Sequence, residues 1–116
     1  MSPSTCILVL EDDPLIRPLL ERWLGEAGYR VTASVGQDAK PALVIANVAD
    51  PNSAVAQIQA LQAYAAPILV VSARFRRGLA GSAAAARRLG VQRVLPKPFT
   101  RSELLSAVRK ALEGAA

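Results

Sequence analysis

Glu11 and Asp12 stand directly after an apolar run, residues 6–10, and three other polar positions are placed the same way. Asn47 falls near the end of the run 43–48, Ser72 follows 68–71, and Lys97 follows 91–95 with one proline between. Two carboxylates, an amide, a hydroxyl and an ammonium therefore sit where buried segments meet solvent. Histidine is absent, so the chain is no histidine phosphocarrier, and triads or zinc sites built on imidazole are excluded; Cys6 is the single cysteine. A metal held here would be a hard cation on oxygen ligands. Asn47 limits the chemistry further. An amide carries no charge and its oxygen is a poor nucleophile, so no acyl intermediate is expected at that position.

The elements that must position these residues can be read from apolar periodicity and punctuation. Residues 6–10 form a continuous apolar run, the mark of a strand buried on both faces. Asp13 followed by Pro14 starts a helix, with Asp13 as its cap rather than a ligand. Leu15, Ile16, Leu19, Leu20, Trp23, Leu24 and Ala27 recur on one helical face, and Gly28 closes it. Strands are expected at 29–33, 43–48, 68–71 and 91–95. A helix is expected from Pro51, with Val55, Ile58, Leu61 and Ala65 facing inward, and another over 82–89 closed by Gly90. Thr100 and Glu103 form a capping box for the last helix, whose apolar face is Leu104, Leu105, Val108 and Leu112.

Strands alternating with helices imply an α/β fold. The expectation is a doubly wound five-stranded parallel sheet in the order 2-1-3-4-5, a flavodoxin-like arrangement with its crevice at the carboxyl ends of the strands. Glu11, Asp12, Asn47, Ser72 and Lys97 then converge on one edge although they are far apart in the chain. Only residues 35–40 separate Ser34 from Pro41, too few for an ordinary crossover helix, so the second helix is expected to be shortened or missing. An apolar patch left uncovered there would suit a partner or a second copy of the chain.

Length and composition bound the rest. The 116 residues are expected to form one domain, 1–116, with no output domain attached, built on a core of Ala, Val, Leu and Ile. No signal pattern and no membrane-length apolar run occurs, and with one cysteine the expectation is a soluble, cytoplasmic protein without disulfides. The net charge of +5 is unevenly placed. Residues 1–50 carry seven acids against four bases, whereas residues 51–116 carry ten bases against Glu103 and Glu113. Arg74, Arg76, Arg77, Arg87, Arg88 and Arg93 are the cluster expected to present an interaction surface.

The layout resembles the receiver domain of two-component response regulators, CheY-like proteins, over the whole chain. The resemblance rests on the order of Glu11-Asp12, the 43–48 strand with Pro51 after it, Ser72-Ala73 and Lys97-Pro98-Phe99 on successive strand ends. It implies that Glu11 and Asp12 are the acidic pair that binds Mg²⁺, that Ser72 is the switch hydroxyl and that Lys97 is the pocket lysine. It also implies that Asn47 occupies the slot of the phosphate-accepting aspartate, and that Val94 stands where receivers commonly carry the aromatic switch residue. The acceptor, the aromatic and the second helix are thus all altered.

The functional expectation is an atypical, stand-alone pseudo-receiver in phosphorelay signalling, not an enzyme, acting by protein contact without phosphorylation. With one carboxylate fewer, Mg²⁺ should bind weakly or not at all, and Lys97 should pair with Asp12. The expected partner is a histidine kinase or another regulator, or a second copy as a homodimer. Two alternatives stand beside this reading: a working phosphoacceptor using another acid such as Asp50, and a basic nucleic-acid-binding module. The second is disfavoured because no aromatic residues are interleaved with the arginines.

Overall fold

The computed structural model describes residues 5–11, 13–33, 40–48, 55–72, 86–87 and 90–114. Five strands run parallel: β1 (Cys6–Leu10), β2 (Arg30–Thr32), β3 (Leu43–Asn47), β4 (Ile68–Ser72) and β5 (Arg93–Pro96). Their order is β2-β1-β3-β4-β5, as the apolar runs imply. The register sets Leu8 beside Val44, Val44 beside Ile68 and Leu69 beside Arg93. Helices α1 (Ile16–Glu26), α2 (Val55–Leu61) and α3 (Arg101–Gly114) lie between or after the strands, with a 3-10 turn at Gln62–Tyr64.

Alternation along the strands divides the core into two layers, which is why the central strands β1, β3 and β4 are apolar along nearly their whole length. Ile7, Val9, Leu43, Ile45, Leu69, Val71 and Leu95 pack under Leu20 and Leu24 of α1 and Leu104 and Val108 of α3. Leu8, Val44, Ala46, Val70 and Val94 face the other way, against Ile58 and Leu61 of α2 and against Ala86. Burying one such leucine or isoleucine contributes about 1.5–3 kcal/mol, so both faces matter to stability. Trp23 meets Phe99 edge to face, with ring centroids 6.5 Å apart, joining α1 to the segment before α3.

Helix ends follow from local chemistry. Asp13 Oδ1 accepts the Leu15 amide at 2.8 Å and the Asp13 carbonyl accepts Arg17 N at 3.0 Å, so Asp13 turns the chain into α1. The helix starts at Ile16 rather than Pro14, however, and its N-cap position is Leu15, which has no side-chain cap bond. Gly28, at φ +96°, closes α1 in a Schellman arrangement: Gly28 N donates to Gly25 O and Tyr29 N to Leu24 O. Gly90, at φ +72°, does the same after the helical residues Ala86 and Arg87, with Val91 N donating to Ala86 O. Thr100 and Glu103 form the reciprocal capping box at 2.8 and 3.0 Å.

Several expectations need correction. β2 and β5 begin later than 29 and 91, because Tyr29 and Val91 donate their amides back into the preceding helical turns. Leu15, Leu19 and Ala27 do not join the inward face of α1; the two leucines are 79% and 38% exposed, and Ala27 is exposed as well. Ala65 is exposed and left-handed at φ 53°, after α2 has tightened into the 3-10 turn. The expected shortening of the second helix falls on residues 34–39, outside the described residues, as does most of the expected helix 82–89.

Candidate functional site

Parallel strands that end on one edge bring their following residues together, and here three side chains meet. Lys97 Nζ donates to Glu11 Oε2 at 2.8 Å and to Asn47 Oδ1 at 2.9 Å. The Lys97 side chain is 15% exposed and the Glu11 side chain is fully buried, so the ion pair lies in the floor of the crevice. Glu11 Oε1 accepts the Asp13 amide at 3.1 Å, which engages the second carboxylate oxygen. A buried charge satisfied at both oxygens is tolerable; one left unpaired is expensive. Lys97 is set at the right height by its own backbone, since Lys97 N donates to Ser72 O at 2.9 Å and extends the β4–β5 ladder.

Asn47 is fixed from two further directions. Gln57 of α2 donates from Nε2 to the Asn47 carbonyl at 3.2 Å, and the next residue, Val48, donates its amide to Val71 O at 2.9 Å. Ser72 is buried beside Pro96 in the strand register. Val94 is buried at 6% exposure in the layer beneath α2, filling core space.

The geometry unites Glu11, Asn47 and Lys97 and places Ser72 on the same strand edge. The expected partner of Lys97, Asp12, lies outside the described residues; the ion pair that is present uses Glu11. Asp50, Arg74, Arg76, Arg77 and Arg88 also lie outside them. Arg87 is exposed and Arg93 half-buried. Gln57 and Arg17, whose Nη1 reaches the Glu11 carbonyl at 3.4 Å, were not anticipated. Each is an ordinary polar residue on a helix, and no periodicity marks it as a reach-back contact.

The shape of the whole molecule decides the class. Against chemotaxis protein CheY4 of Vibrio cholerae the TM-score is 0.73, with 20% identity and coverage of 94% of this chain and 99% of that one. A response regulator of Thermotoga maritima gives 0.74 at 18% identity, covering 96% and 99%. This is the receiver fold. The receiver domain of the sensor histidine kinase PA1611 from Pseudomonas aeruginosa, solved with magnesium in its active-site cleft, matches at TM-score 0.68 and 25% identity over 96% and 99%. No family model matches the chain. In sequence, transcriptional regulatory protein PdtaR of Mycobacterium tuberculosis is 35% identical over 119 residues, covering 91% of this chain and 56% of the mycobacterial protein. The chain thus spans about half the length of the curated relatives it matches. Among the described residues no helix is long and apolar enough to cross a membrane.

Proposed function

We propose that this chain is a receiver module of two-component signalling that works by protein contact and takes up no phosphate at position 47. The observation that carries the reading is the Lys97 ammonium bridging Glu11 Oε2 and Asn47 Oδ1. Where a receiver would present a carboxylate nucleophile, this crevice presents an amide whose oxygen already accepts a hydrogen bond. No acyl phosphate forms on an amide oxygen under these conditions.

The same geometry argues against tight Mg²⁺ binding. The described oxygen donors do not fit a divalent ion: both Glu11 oxygens are engaged, and Asn47 Oδ1 faces a positive charge. A cation entering would have to displace Lys97 from a buried carboxylate. The receiver of PA1611, by contrast, was solved with a magnesium ion in its cleft. In the proposed molecule the internal ion pair substitutes for the metal and holds one resting arrangement.

Contact surface is available around the start of α1. Leu15, just before α1, and Leu19, within it, are exposed, and Pro14 and Pro18 beside them are exposed as well. An apolar patch rimmed by Arg17, Glu21 and Arg22 suits a protein partner such as a histidine kinase or another regulator. The test is incubation with a small phosphodonor and Mg²⁺ followed by intact mass. An unchanged mass is expected; a labile added phosphate would overturn the reading.

A further inference from the structure

We infer that the groove between the end of α1 and the first two turns of α3 is a second docking site, taking an acidic amphipathic helix of a partner protein. Its floor on α3 is one helical row, Arg101, Leu105 and Arg109, with Ser102 and Ser106 on the adjoining row. Ala27 and Tyr29 form the opposite wall, and the groove encloses about 460 Å³. Eight residues of α-helix place the two guanidinium-bearing positions about 12 Å apart along the axis. The half-buried Leu105 lies midway between them.

Charge selects the occupant. Glu26 is the acid at the groove's edge, and two cations already share it, Arg22 at 3.5 Å and Arg101 at 3.6 Å. Among the described residues Arg109 has no ion-pair partner, although Glu113 follows it by one turn. Arg30 and Lys110, exposed next to Tyr29 and Arg109 in sequence, add to the positive field. A cation, an apolar side chain and a cation at i, i+4 and i+8 are complementary to carboxylate, apolar and carboxylate at the same spacing on a second helix. Two helices packed 8–10 Å apart would bring these rows into contact. Nucleic acid fits less well, because the centre of the row is a leucine and one half-buried tyrosine supplies no run of stacking rings.

This inference deepens the contact-driven reading, yet its test is independent of the phosphodonor experiment, so either can fail alone. The probe is a stapled helical peptide with Glu, Leu and Glu at i, i+4 and i+8, titrated into the full chain and followed by backbone amide shifts. Saturable shifts confined to residues 27–29 and 101–109 are expected. Replacing both peptide glutamates by glutamine should weaken binding roughly tenfold, the size expected of two surface ion pairs. Arg109→Glu in the protein should do likewise while its thermal melt stays unchanged, and Arg109→Gln should fall between. Absence of binding, equal binding of the glutamine peptide, or shifts centred on Arg87 and Arg93 would overturn the assignment. So would a single-stranded oligonucleotide that displaces the peptide and binds these residues more tightly.

Discussion

Lys97 holds the crevice together, and its removal has a calculable sign. Lys97→Met would leave the fully buried Glu11 carboxylate without its counter-charge. Breaking one side of such a pair destabilises by about 3 kcal/mol, whereas removing both charges restores most of the loss. Urea denaturation should therefore rank Lys97→Met well below the double variant Glu11→Gln/Lys97→Met; equal losses would refute the pairing. Asn47→Asp reads the other half of the site. It places a carboxylate on the 2.9 Å contact to Lys97, so Mg²⁺ affinity and phosphodonor labelling should rise, both visible by titration and intact mass. Val94 is a short side chain packed in the core, with no ring to swing inward. Amide shifts on phosphorylating that variant should thus stay near the strand ends, and a large shift at Arg87 would contradict this. The native amide should also persist: spontaneous deamidation needs the Val48 nitrogen to attack the Asn47 side chain, and that nitrogen is tied to Val71 O beside a β-branched residue. Prolonged incubation at mildly alkaline pH should leave Asn47 unconverted in a peptide map.

At the scale of elements, β1, β3 and β4 announce themselves because they are buried on both faces and so run apolar without alternation, whereas the edge strand β2, Arg30–Thr32, holds no buried residue. The helix stops are equally legible, since Gly28 and Gly90 adopt the left-handed backbone that glycine tolerates. What periodicity does not reveal is where the chain after a glycine cap sends its next amide. Tyr29 and Val91 look like strand residues by type, but their N–H groups complete the caps, and the ladders begin only later. Likewise an apolar stripe does not say how wide the covered sector is, so Leu15 and Leu19 share the helical spacing of the inward residues yet lie outward. The candidate site shows the same division. Strand order alone brings Glu11, Asn47, Ser72 and Lys97 to one edge, but that Lys97 pairs with Glu11 depends on side-chain reach that strand order does not give. Because nothing lies within 4 Å of a Cβ built at Gly90, Gly90→Ala should lose only the backbone preference. About 1 kcal/mol by urea midpoint is expected. A loss several times larger would mean the cap carries tertiary packing as well.

Across the whole molecule the sheet is the shared element. The layer under α1 and α3 and the layer under α2 are separate sets of side chains, yet they hang from the same strands, with neighbours along one strand facing opposite ways. Loss of either layer therefore removes the support of the other, and a domain of this size is expected to unfold as one unit. Trp23, the single tryptophan, makes this testable, since it packs with the α1 and α3 layer and against Phe99. Ile58 is 3% exposed in the opposite layer. Ile58→Ala should destabilise by roughly 2–5 kcal/mol, the range for truncating a buried isoleucine. Its effect should reach Trp23 in full, with fluorescence and far-ultraviolet circular dichroism moving to the same lower denaturant midpoint. If the fluorescence midpoint stayed at its original value while the dichroism fell, the two layers would be separable. The receiver fold would then be coupling the Lys97 crevice to the α2 side less tightly than a shared sheet requires, and a partner bound at one face would leave the other unaffected.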